Sequence, residues 1–209
     1  MNLKKMGRKS LKAERQKEII VAFYKVAQRE GLENASLAKV AKETGVNSSL
    51  ISHYFGSKED LVFGLINYIL ERYKFIFASE SGGENSEKRL VKLVDNLFSR
   101  EWNELIDDGV FYSCFTLVFR DGKIKAAFKD LHDYLRLLLT EVIEEANKNG
   151  EVNIENPKNT ADLIFILVEG TYYYLSLCEI NDEYYGKLNK YKQVAYDILK
   201  IKNYDISKD

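Results

Sequence analysis

Apolar residues recur at helical spacing along almost the whole chain, and the lapses in that spacing divide it into segments. Between Lys12 and Glu30 the set Ile19, Ala22, Phe23 and Val26 falls at i, i+3, i+4 and i+7, one face of a helix. Gly31 ends it, because a residue without a Cβ takes the left-handed C-cap conformation readily. Ser36 caps a second helix with Leu37, Val40 and Ala41 on its buried face, closing at Thr44-Gly45. Asn47 or Ser48 caps a third, which carries Leu50, Ile51, Tyr54 and Phe55 and stops at Gly56. Ser57-Lys-Glu-Asp60 fits a capping box and opens a fourth, carried by Leu61, Leu65, Tyr68 and Ile69 toward Ala78.

Beyond the linker Ser79–Ser86, the residues Leu90, Leu93, Val94, Leu97 and Phe98 mark a fifth helix, followed by Trp102 and Leu105. Gly109 and Asp121-Gly122 bracket a shorter aromatic segment from Val110 to Arg120. Phe128 through Ile143 define a long helix ending at Asn149-Gly150. A nearly continuous apolar stretch, Leu163 to Leu177, follows Pro157, and a last helix from about Asp182 places Tyr191, Val194, Ile198 and Ile201 on one side. The pattern predicts an all-α chain of about nine helices, and a single proline in 209 residues agrees with it.

Composition adds a partner to this picture. The formal charge of −1 conceals a segregation: residues 1–60 hold 12 Lys and Arg against 7 Asp and Glu, a net of +5, and the remainder carries −6. Most of the excess is in the first 17 residues, where Lys4, Lys5, Arg8, Lys9, Lys12, Arg15 and Lys17 face Glu14 alone. Such an arm follows a polyanion's backbone or is simply solvated, and charge alone leaves both open. Cys114 and Cys178 lie far apart among apolar neighbours and read as buried thiols. With no apolar run long enough to span a bilayer and no signal-peptide pattern, the chain is expected to be cytoplasmic, without membrane contact.

Two short helices joined at Gly45-Val46-Asn47, with small Ala41 at their crossing, describe a helix-turn-helix. With Leu50, Ile51 and Phe55 anchoring the second of them, Ser48, Ser49, Ser52 and His53 are left to meet something outside. An α-helix fits the major groove of double-stranded DNA, and short hydroxyl side chains let the backbone approach the base edges. Ser36, Tyr54 and Lys58 stand where they can meet phosphates. The candidate DNA-binding set is therefore Ser36, Asn47, Ser48, Ser49, Leu50, Ser52, His53, Tyr54 and Lys58, with Arg8, Lys9 and Lys12 from the arm.

The stretch from Ser36 to Leu61, SLAKVAKETGVNSSLISHYFGSKEDL, resembles the DNA-binding domain of the TetR family of bacterial transcriptional repressors. Ile51-Ser52-His53-Tyr54-Phe55 is similar to the BetI-like branch, whose best-known member responds to choline, and Ser52 replaces the family's usual aromatic. The resemblance implies a helix-turn-helix DNA-binding domain over 1–56 and a ligand-binding and dimerisation domain over 57–209, joined by a connecting helix at 57–78. It further implies a homodimer built from the last two helices, on a palindromic operator released by a small molecule. Trp102 and Glu169-Gly170 sit where BetI-like proteins show similar residues.

Aromatic residues in the C-terminal part point to the effector. Phe98, Trp102, Tyr112, Phe115, Phe119, Tyr134, Tyr172 and Tyr173 are candidates to line an apolar pocket, although rings at helical spacing also serve as plain core. Glu169 interrupts the apolar run, and a buried carboxylate needs a partner. A cationic ligand held by charge and aromatic faces supplies one; Arg120, Arg136 or a lysine of a dimer mate supplies another. His132 is expected at a helix surface. No nucleophile elbow, phosphate loop, metal spacing or histidine pair suggests an enzyme, and no cofactor is expected. The alternative is a helical interaction and dimerisation protein whose helix-turn-helix is degenerate and which has no inducer.

Overall fold

The computed structural model describes residues 3–78, 86–99 and 105–201. Among them the chain is all α-helical: α1 (Leu3–Glu30), α2 (Leu37–Thr44), α3 (Ser48–Tyr54), α4 (Lys58–Ala78), α5 (Ser86–Leu97), α6 (Asp108–Phe115), a 3-10 turn (Thr116–Phe119), α7 (Gly122–Lys148), α8 (Pro157–Leu175) and α9 (Asp182–Ile198). They form two compact units, Met1–Glu71 with Ile106–Phe128, and Arg72–Leu105 with Lys129–Asp209. No helix among the described residues is long and apolar enough to cross a membrane.

The first unit is built on Phe23, Val26, Val40, Ile51, Leu61 and Leu65, all fully buried. Helix α1 starts nine positions before Lys12. Its N-terminal Leu, Lys, Met and Arg residues are good helix formers, Gly7 apart, and the packed turns from Ile19 onward supply the nucleus from which they propagate. Leu11 to Arg15 remain exposed, so that stretch buries no face. At the α2–α3 turn Gly45 has φ +68, its N–H reaches Lys42 O and Val46 N–H reaches Ala41 O, which is a Schellman cap. Asn47 caps α3, and Ser57 Oγ accepts Asp60 N–H at 3.1 Å to open α4. A Cβ on Gly64 would meet Ile20 Cδ1 at 2.6 Å, so α4 approaches α1 closely there.

The segment expected from Val110 to Arg120 divides in two. Asp107 Oδ1 caps α6 through Val110 N–H, which takes Gly109 inside the helix, and the last turn tightens to 3-10. Asp107 N–H also donates to Tyr24 Oη at 2.9 Å, tying α6 to α1 within the unit.

The second unit packs Leu90, Val94 and Leu97 of α5 with Leu135, Leu139 and Ile143 of α7, Ile164, Phe165 and Val168 of α8, and Leu188, Ala195 and Tyr196 of α9. The core face of α9 is Tyr184, Leu188, Lys192, Ala195 and Tyr196, while Val194, on the side that also bears Tyr191 and Ile198, is exposed. The apparent anomaly is Lys192, 5% exposed, whose ammonium stands 3.3 Å from Asp95 Oδ1; Tyr196 Oη donates to the same oxygen at 2.7 Å. A lysine does not count toward an apolar stripe, so the spacing of apolar residues does not mark this face.

Candidate nucleic-acid interface and effector site

Helix α3 turns Ile51 inward, with Phe55 just past its end also buried, and leaves Ser48, Ser49, Ser52 and His53 exposed. Leu50 and Tyr54 lie half-buried at the edges of that face. The polar groups are already organised. Asn47 Oδ1 accepts Leu50 N–H at 2.9 Å and the Ser49 hydroxyl at 2.7 Å, and the Ser52 hydroxyl donates to Ser48 O at 3.1 Å. The His53 ring meets Tyr54 edge-on at 5.4 Å between centroids.

Around this helix stand the other expected contacts. Ser36 Oγ accepts Lys39 N–H at a long 3.4 Å, capping α2. Lys58, on the first turn of α4, donates to the backbone carbonyl of Glu33 at 2.7 Å, which leaves two of its three N–H donors for another acceptor. Lys12 is exposed on α1; Arg8 and Lys9 belong to the same helix, and their side chains lie outside the described residues.

The sequence pattern missed a network behind α2. Arg29 pairs with Glu30 and Glu43, and Lys39 pairs with the other oxygen of Glu30 at 2.6 Å. The hydrogen bonds from Lys39 and then Arg29 hold the Glu30 carboxyl below its usual range, and the hydrogen bond to Glu30 raises the Arg29 guanidinium. These charges are separated by up to 14 positions, and no local spacing rule connects them.

The expected ligand residues divide between the two units. Phe115 and Phe119 belong to the first unit, in a ring cluster with Phe111 and Phe128, and Phe119 is 80% exposed. In the second unit Phe98 is core, and Tyr172 Oη lies 2.9 and 3.0 Å from the carbonyl oxygens of Leu97 and Ser99, bracing the end of α5. Tyr134 has the Lys74 ammonium over its ring at 5.6 Å, and Tyr173 is 63% exposed. Trp102 lies outside the described residues.

Glu169 corrects its expectation of burial: its side chain is 50% exposed, and its partner is His132, with Nδ1 3.4 Å away, rather than an arginine. An apolar run in a helix surrounds every residue in sequence but not in space, and Glu169 falls on the outer face of α8. Arg136 instead pairs with Asp162 at 2.7 Å. Burial pushes the Cys114 thiol up to about 12, so it stays protonated and unreactive.

A cleft within the first unit, of about 650 Å³, runs between the α1–α2 loop, the start of α4, and the corner from α6 into α7. Tyr112 lines it, the sole described residue of the expected ligand set to do so, and so does Lys58 from the expected DNA set.

Comparison with known proteins places these features. A family model described as tetracyclin repressor-like, C-terminal domain, matches residues 85–201, and one described as bacterial regulatory proteins, tetR family, matches residues 19–65. An HTH-type transcriptional regulator BetI of Stenotrophomonas maltophilia is 28% identical over 95 residues, 44% of this chain and 48% of that protein. A second BetI, from Vibrio campbellii, is 36% identical over 87 residues, 40% of this chain and 44% of that one. The chain thus spans about half the length of the curated relatives it matches. Among solved structures, a TetR transcription regulator from Haloarcula marismortui superposes with TM-score 0.76 at 17% identity, covering 90% of this chain and 97% of that one. A regulator from Saccharomonospora viridis, in complex with choline, superposes with TM-score 0.71 at 19% identity, covering 90% and 96%. The helix-turn-helix in the first unit and a C-terminal domain match that covers more than half of the chain lead to one conclusion: the chain belongs to the tetR family of bacterial regulatory proteins.

Proposed function

We propose that this chain is a ligand-responsive DNA-binding transcriptional regulator, acting as a homodimer on a palindromic operator that a small apolar or cationic molecule releases. The observation that carries the reading is α3 itself, whose apolar side is anchored by Ile51 and whose exposed side holds three serines and His53. Membership of the tetR family supports the same role.

Dimerisation draws support from α8. Leu163, Ile166, Gly170 and Tyr173 follow one another at steps of three, four and three, the spacing of a helix-helix seam, with Leu177 four positions on in the turn past the helix end, and all are exposed. Gly170 leaves open space where a Cβ would stand, so a neighbouring helix can come close. A cationic effector finds support in Glu169, half exposed beside His132, and in the neighbour from Saccharomonospora viridis, which was solved with choline. The proposed domains are 1–56 for DNA and 57–209 for ligand and dimer, connected through 57–78.

The test is a titration of labelled DNA from upstream of the gene at several salt concentrations. Affinity that falls steeply with salt, at a slope near 0.9 per phosphate contact, is expected. Absence of binding even at low salt overturns the reading and leaves an interaction protein with a degenerate helix-turn-helix.

A further inference from the structure

We infer that the cleft in the first unit is a binding site for a small aromatic carboxylate, distinct from any cation site in the second unit. Its volume of about 650 Å³ falls within the range of small-molecule sites, about 300–1,000 Å³. Leu32, Val62 and Ile124 give it an apolar floor, and the rings of Phe63 and Tyr112 stand at its walls. Phe63 is 38% exposed, an apolar ring left facing the opening, and a flat aromatic body covers it with little ordering cost.

The charge of the occupant follows from which rim groups are already engaged. Asp121 Oδ1 accepts the N–H groups of Lys123 and Ile124 at 2.7 and 3.3 Å, capping α7. The Glu33 carboxylate accepts the Asn34 side-chain amide at a long 3.4 Å. Glu59 sits in the first turn of α4, where the helix dipole balances a negative charge. Arg120, by contrast, makes no side-chain hydrogen bond or ion pair among the described residues, and Lys58 has two N–H donors left. Arg120 is thus the rim cation left without a partner among the described residues, and although Glu33, Glu59 and Asp121 also line the cleft, a carboxylate meets a free guanidinium through two parallel hydrogen bonds.

The consequence for regulation rests on the function proposed above; the binding itself does not. Lys58 ties the start of α4 to the α1–α2 loop through Glu33 O, and α3 ends at Tyr54, only four residues earlier. A carboxylate in the cleft takes the remaining donors of the same ammonium and pulls on the tie to Glu33 O, so its arrival acts on the seating of α3 from within the DNA-binding unit.

The test uses the full chain with labelled Ile, Leu and Val methyl groups, titrated with 1-naphthaleneacetate and with its alcohol and amine counterparts. The expected result is a saturable shift of the Leu32, Val62, Leu117 and Ile124 methyls for the carboxylate, with the amine at least tenfold weaker. Arg120→Gln weakens the carboxylate about tenfold, as loss of a charge-assisted pair predicts, and Leu117→Trp abolishes the shift by filling the cleft. Equal response to the amine, or no shift of those four methyls at millimolar probe, overturns the inference. Salt-sensitive DNA binding, measured on the same samples, keeps the two proposals apart. Its presence with silent methyls sinks the cleft alone, and its absence with responding methyls sinks the regulator alone.

Discussion

Lys58→Ala removes two interactions of different kinds, and their magnitudes separate them. In the proposed complex each copy of Lys58 neutralises one phosphate, so a dimer loses two contacts. At a slope of about 0.9 per contact the plot of log affinity against log salt flattens by about 1.8, and affinity at 0.1 M salt falls about 60-fold, with the loss vanishing as salt approaches 1 M. Within the fold the same substitution deletes the hydrogen bond to Glu33 O at 2.7 Å. A charge-assisted bond of that type contributes up to about 1.5–3 kcal/mol of stability, and less where solvent reaches it.

A loss that small leaves a domain of ordinary stability, about 5–15 kcal/mol, almost wholly folded, so unfolding does not mimic a 60-fold deficit. Fluorescence anisotropy of labelled DNA over a salt series measures both intercept and slope, and a urea melt measures the fold. Lys58→Arg retains the charge and is expected to keep the wild-type slope. If the alanine variant gives a line parallel to wild type, Lys58 does not contact phosphate and its role is confined to tying α4 to the α1–α2 loop.

Three further outcomes are expected. Gly45→Val forces a β-branched residue into φ +68 and costs about 1–2 kcal/mol or more; an unchanged urea midpoint contradicts the turn geometry. Ile166→Glu places a charge in the proposed α8 seam, and sedimentation is expected to shift from dimer to monomer while the far-ultraviolet dichroism holds; a persistent dimer moves the interface elsewhere. The Glu30 carboxyl is held below its ordinary 4.5 by Lys39 and then Arg29, so its contribution is present in full above the unfolded-state value and is lost as pH falls through the lowered one. Glu30→Gln is therefore expected to lower the urea midpoint near neutrality and to converge with wild type in strong acid, and a constant difference across pH refutes the pairing.

The elements of the fold were legible because helices carry local signals. Gly31, Gly45 and Gly150 all take positive φ where the apolar spacing ended, and Ser36, Asn47 and Ser57 all cap where a polar residue preceded that spacing. What failed were properties that depend on which way a helix is rotated against its neighbours. The core face of α9 is not marked by apolar spacing because it includes Lys192, buried on Asp95, and Glu169 reads as inside because its sequence neighbours are apolar. The cleft was not legible at all. It is made by residues near 32, 60 and 117, and nothing local to any of the three marks a cavity.

That contrast has a chemical counterpart on α3. The sequence supplies hydroxyls but not the direction of their protons. With the Ser49 proton held by Asn47 Oδ1 and the Ser52 proton by Ser48 O, both oxygens turn lone pairs outward, while Ser48 and the Asn47 amide keep donors to offer. In the proposed docking the middle of the helix therefore presents acceptors, suited to the amino groups of adenine and cytosine in the major groove, and its first residues present donors, suited to phosphate. A family pattern that lists only residue types at these positions cannot distinguish a serine that donates from one that accepts; the hydrogen bonds beneath them do.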